Sequence, residues 1–153
     1  MRLLRPSLAL LALLTLGACK NTTEAAKRVD TTTLKCVQPG GGTVGCDITI
    51  PSSASKIRIT LVDHDCDAHG NVISVTEPSP VTLTTDACYE TKGKVIEIPG
   101  PFSSAHLAMK VTSTLITNPP ELHVTGSSPT WTVYFEDGGD QDFNDATLKI
   151  EAI

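Results

Sequence analysis

Trp131-Thr-Val-Tyr-Phe135, then Glu136-Asp-Gly-Gly-Asp-Gln-Asp-Phe-Asn-Asp145, then Ala146-Thr-Leu-Lys-Ile150: the fold is decided by how this stretch is read. Both flanks alternate apolar and polar residues, the period of a strand with one buried face. Between them stand five carboxylates, Glu136, Asp137, Asp140, Asp142 and Asp145, with the carbonyl of Asn144 and no Lys or Arg. Two strands joined by an acidic loop of about nine residues follow from that pattern. Like charges a few ångströms apart repel by about 1 kcal/mol per pair at ~4 Å even in bulk water. A hard cation with oxygen ligands relieves such crowding, and calcium is the natural one outside the cytoplasm. Asp140, Asp142 and Asn144 fall at i, i+2 and i+4, a spacing that turns alternate oxygens toward one point. Gly138 and Gly139 permit positive φ, and Phe143 is expected to plug the end of the core. Neither the spacing nor the flanks are those of an EF-hand.

Working outward, the same short alternation recurs. Val44–Ile50 puts Cys46, Ile48 and Ile50 on one face, and Lys56–Val62 puts Ile57, Ile59 and Leu61 inward. Val72–Val75, Val81–Thr84, Lys94–Ile98, His106–Thr117 and Leu122–Val124 complete the series, separated by Pro, Gly, Asn and Ser. In the longest run, Leu107, Met109, Val111 and Leu115 share a face. No window after the N-terminal segment shows helical recurrence, and Thr is abundant, which suits pleated surfaces. About nine short strands predict one all-β domain over residues 34–153, an antiparallel β-sandwich of jelly-roll-like form. Trp131 shares parity with Val133 and Phe135 and is expected in the core.

The N-terminus is an address. Arg2 and Arg5 precede an apolar run, Leu8–Leu16, too short to span a bilayer. Leu16-Gly17-Ala18-Cys19 follows and resembles the bacterial lipobox. That resemblance implies cleavage after residue 18, lipidation of Cys19 and a membrane partner reached through the acyl chains. Lys20 in place of Asp implies the outer membrane. Residues 19–33 are polar, without aromatics, and read as a flexible tether. Loss of residues 1–18 leaves ten of the twelve basic residues against all seventeen acidic ones. That balance, with basic residues scattered singly, argues against nucleic acid.

With Cys19 assigned to lipid, Cys36, Cys46, Cys66 and Cys88 remain, an even number that in an exported chain predicts two disulfides. Three connectivities are possible. Cys36–Cys46 with Cys66–Cys88 is preferred, because the first pair flanks the turn-rich segment Val37–Gly45. A second acidic constellation, Asp63, Asp65 and Asp67 at i, i+2 and i+4, is a possible second metal loop, and His64, Cys66 and His69 allow zinc. The competing reading of both acidic stretches is a set of solvated loop caps. His106 and His123 stand alone. No nucleophile elbow, zincin helix or phosphate-cradling loop is present.

The string Phe-Glu-Asp-Gly-Gly-Asp-Gln-Asp-Phe-Asn-Asp at 135–145, closed by Ala146–Ile150, also resembles the signature of secreted bacterial β-domains of the LruC type. The resemblance covers about twenty residues of the chain. It implies an extracytoplasmic domain binding calcium through Glu136, Asp137, Asp140, Asp142, Asn144 and Asp145. The expected function is therefore that of an envelope-anchored, non-catalytic domain stabilised by calcium. A binding module for surface polysaccharide or an envelope protein is the alternative, followed by a small metal- or carboxylate-dependent hydrolase.

Overall fold

Residues whose apolar side chains alternate must hide one face, and here two sheets do so in common. The computed structural model describes residues 36–40 (backbone), 42–114 and 118–153. The signal segment, Cys19, the tether, Leu34, the Cys36 side chain and Leu115–Thr117 lie outside them. Ten strands follow in order: β1 (Cys36–Gly40), β2 (Thr43–Thr49), β3 (Lys56–Asp63), β4 (Asn71–Glu77), β5 (Val81–Thr84), β6 (Val95–Pro99), β7 (Ser104–Val111), β8 (Glu121–Ser127), β9 (Thr130–Glu136) and β10 (Ala146–Ala152). One sheet has the order β1-β2-β7-β4-β5 and the other β6-β3-β10-β9-β8. Every pairing is antiparallel.

The expected inward faces are the buried ones. Ile57, Ile59 and Leu61 of β3 are buried with Val133 and Phe135 of β9 and Leu148 and Ile150 of β10. Ile48, Ile73, Leu83, Leu107 and Met109 come from the other sheet, and all belong to one apolar cluster. Trp131 lies in that cluster, as its parity requires. Burying a large apolar side chain contributes about 1.5–3 kcal/mol, so this shared cluster is the main stabilising feature.

Several local expectations need correcting. Cys36–Gly40, expected as the near side of a possible hairpin but not counted as a strand, is a tenth strand paired with β2. β7 ends at Val111 instead of running on toward Thr117. Its neighbours explain this: β2 begins at Thr43, opposite Lys110, and β4 begins at Asn71, opposite Val111. A strand has no ladder beyond the start of its partners. One short helical turn, Ala87–Tyr89, is capped by the Asp86 carboxylate accepting from the Cys88 amide.

Cys66 and Cys88 form the expected disulfide, with Cα atoms 5.5 Å apart. It is the one bridge whose two partners are both described. Cys46 is disulfide-bonded as well, and the backbone register sets Cys36 opposite it.

Candidate metal centre

The β9–β10 hairpin builds the site. Ala146 pairs with Phe135, which closes the ladder and leaves 137–145 as a loop at the end of the sheet. On the other side of β10, Thr147 pairs with Asp63. The β3–β4 connection therefore leaves the sheet beside the acidic loop, and the two acidic stretches of the sequence become neighbours. The Asp65 amide donates to the Asn144 carbonyl at 3.1 Å, and the Asp67 amide to Asp145 Oδ1 at 3.2 Å. The Ala68 amide donates to Asp137 Oδ2 at 2.9 Å. Asn71, the first residue of β4, donates to the same oxygen from Nδ2 at 3.0 Å.

The acids divide into two groups that share Glu136. Glu136, Asp137 and Asp145 are 1%, 0% and 2% exposed, and oxygens of all three lie within 4.8 Å of one another. All six of their carboxylate oxygens accept hydrogen bonds, from the loop and from the 67–71 segment. Asp145 Oδ2 accepts from the Asp137 amide at 2.6 Å. Glu136 accepts from the Gly138 and Phe143 amides, and Asp137 Oδ1 accepts from Gly139. These bonds are the loop capping that the ion-free reading anticipates, but every carboxylate oxygen of the trio except Asp137 Oδ2, which accepts from both Ala68 and Asn71, keeps a second lone pair. The other group, Glu136, Asp140 and Asp142, also brings oxygens within 4.8 Å, with Asp140 and Asp142 exposed. Asx turns shape it, the Asp142 amide donating to Asp140 Oδ1 and the Asn144 amide to Asp142 Oδ1. Gln141 (φ 67°) and Phe143 (φ 60°) are left-handed, so alternate residues reverse the chain between the ligand positions. The Asn144 side-chain amide donates to Asp142, and its backbone carbonyl is taken by Asp65.

Among the described residues no Lys or Arg pairs with the buried trio. The electrostatic consequence falls on Asp145, pushed up to about 8 by burial first and by the neighbouring Asp137 and Glu136 charges next. Asp67 is raised chiefly by Asp140, and Asp142 by desolvation and then by Asp140. Asp63 behaves oppositely: its ion pair with Lys92 holds it below the usual range.

Phe143 lies outside the apolar cluster, contrary to expectation. It is half-buried and stacks on His123 of β8, ring centroids 3.8 Å apart. His123, exposed on β8, thus supports the loop, and His106 Nδ1 lies 2.7 Å from Asp47 Oδ1.

Of the second constellation, Asp67 reaches the acidic loop. A Cβ on Gly139 would come within 2.3 Å of its carboxylate, so glycine is required there. Asp63 turns to Lys92, and Asp65 lines a polar cavity of about 350 Å³ with His64, Asn144 and Thr147. Zinc chemistry through Cys66 is closed by its disulfide, as it is for the cluster of His69, Asp86 and Cys88.

Two participants were missed in the sequence. Asn71, fully buried, holds Asp137 while its Oδ1 meets no donor among the described residues. Tyr89, 74% exposed, stacks on His69 at the same end. Neither shows a local signal, because both are placed by the Cys66–Cys88 connection. No family model matches the chain, and no curated protein matches it.

Proposed function

We propose that this chain is an envelope lipoprotein, anchored through Cys19 in the outer membrane, whose non-catalytic β-sandwich is stabilised by calcium at the 136–145 loop. The observation that carries the calcium reading is the buried trio Glu136, Asp137 and Asp145 without a basic partner among the described residues. Several negative charges in a low-dielectric site need a counter-charge, and burying them unpaired costs several kcal/mol. The donor set is all oxygen, which suits calcium over zinc or copper. Glu136, Asp140 and Asp142 would ligate directly, while Asp137, Asn144 and Asp145 complete the set or hold it in shape. The sandwich reading is supported by the shared cluster and by the connections β2–β3, β3–β4, β5–β6 and β6–β7, each of which crosses from one sheet to the other. That interleaving also favours the jelly-roll-like form. The lipid anchor and the LruC-type relationship rest on the sequence motifs alone.

Melting of the mature protein starting at Cys19 tests the ion. Calcium at 100 times its dissociation constant should add about 2.7 kcal/mol, and chelator should remove it. Identical melts in calcium and chelator sink the reading. A glycan or envelope partner remains the second reading, favoured by the polar cavity and by exposed Tyr89 at the same end. Calcium-dependent retention on a glycan array would separate it from a purely structural ion.

A further inference from the structure

The two ends of the sheets differ in charge. The connections 63–67 and 136–145 carry eight acids, Asp63, Asp65, Asp67, Glu136, Asp137, Asp140, Asp142 and Asp145. At the opposite end the connections are 50–55, 78–80, 99–103 and 127–129, and none contains an ionisable side chain. They are Ile-Pro-Ser-Ser-Ala-Ser, Pro-Ser-Pro, Pro-Gly-Pro-Phe-Ser and Ser-Ser-Pro. Backbone bonds gather them: the Ile50 amide donates to the Ser103 carbonyl, Gly100 to Ser55, Ser55 to Ile153 and Ala152 to Pro129. An apolar recess of about 280 Å³ opens there between Ile50, Pro101 and Phe102, edged by Ser52 and Ser103. Ile153, 44% exposed, adds a further apolar side chain.

Strand direction says which end the anchor serves. β2 runs from Thr43, at the acidic end, to Thr49, at the uncharged end, since Thr43 pairs with Lys110 and Thr49 with Ser104. β1 is antiparallel to β2, and Cys36 pairs with Cys46. The chain preceding Cys36 therefore joins β1 from the side of the uncharged end. Sixteen residues, 20–35, connect that point to Cys19. Fully extended they span no more than about 55 Å, and as a coil about 20–24 Å.

From these features we infer that this end, with exposed Pro101 and half-buried Phe102 at its centre, rests on the phospholipid surface that holds Cys19. This rests on the lipid-anchor reading above. Phe102 and the prolines offer apolar contact, the Ser residues suit a headgroup layer, and the adjoining Glu77 and Lys56–Glu97 pair stay hydrated in a contact this shallow. The acidic end points away, where its charges stay in water. A weak contact suffices, because a tether this short holds the patch at millimolar effective concentration over the lipid. The calcium loop and Tyr89 then face outward, about 25 Å further from the membrane for strands of seven or eight residues.

Tryptophan quenching reads the contact. Full-length protein, matured and reconstituted in phosphatidylcholine vesicles with brominated acyl chains, is compared as Ser52→Trp and Gln141→Trp, against the buried Trp131 background. Ser52→Trp should be quenched about twofold more than Gln141→Trp, since apolar contacts enter only the headgroup–acyl boundary. Adding Phe102→Asp to the first variant, or Ser103→Asp at the exposed edge of the same recess should the loss of Phe102 packing unfold the domain, should remove the difference without affecting flotation. Flotation of the vesicles separately reports the anchor. If the chain fails to float, the anchor reading fails, and the same comparison is made on protein coupled through the Cys19 thiol to maleimide-bearing lipid. Equal quenching at the two positions, or quenching indifferent to the Asp substitution, overturns the membrane contact whichever attachment is used.

Discussion

Asp145 carries the strongest consequence of any single residue. Its carboxyl, pushed up to about 8, keeps its proton in the folded state at pH values where an unfolded carboxylate, near 3.9, has lost it. The folded protein thus binds more protons across that window. In chelator its stability should fall as pH rises from about 4 to about 8, by at most about 1.4 kcal/mol per unit from this group. Calcium, taking the place of the proton, should flatten the decline. Urea denaturation at pH 5 and pH 8 in chelator checks it, and a stability that stays level or climbs would contradict the buried-trio electrostatics. Gln141 gives a second residue-level expectation. It is exposed and left-handed, so Gln141→Gly should stabilise the ion-free domain by up to about 1 kcal/mol. Removing the ring beneath the loop acts the other way: His123→Ala should cost about 1 kcal/mol through the lost stack on Phe143.

Among the elements, the β9–β10 hairpin holds both core and site. Trp131→Ala should cost about 3–5 kcal/mol in thermal or urea unfolding, because its cavity lies inside the shared cluster. Breaking the Cys66–Cys88 bridge, which spans 22 residues, should cost about 3 kcal/mol. It should also weaken calcium binding, since that connection delivers Asp67 and Ala68 to the acidic loop. How far the sequence foretold these elements depends on whether the signal was local. Alternation at Lys56–Val62 and Trp131–Phe135 is a local property, and those strands lie where their period put them. The approach of Cys36 to Cys46 was legible from the turn-rich segment between them, but β1 was not legible as a strand, because Val37-Gln-Pro-Gly-Gly41 has no alternation and its pairing comes from β2. The end of β7 is set by where its partners begin, which lies in no window of its own sequence. Likewise the acids at 136–145 were legible as a group, but their division into a buried and an exposed set was not. That division follows from Asn71 and the 67–68 amides, which arrive from seventy residues away.

For the molecule as a whole, the segregation of charge governs behaviour. Apart from Asp63, which is paired with Lys92, the seven remaining acids at one end repel one another, and salt screens them over about 10 Å at 0.1 M and about 3 Å at 1 M. Raising sodium chloride from low to high concentration should therefore raise the melting temperature of the ion-free protein and change the calcium-loaded protein less. A melting temperature that drops with salt in chelator would count against the acidic end as a source of strain. The placement of β1 has a mechanical side too. It is an edge strand, and under the anchor proposed above tension would reach it at Cys36, while the acidic loops lie at the far end. Anything that seizes those loops and pulls away from the surface would load the β2–β7 ladder lengthwise, since a bridge from Cys36 to the disulfide-bonded Cys46 opposite it would hand the tension past β1 to β2. Its hydrogen bonds would then share the tension together, in shear, instead of opening one by one like a zip.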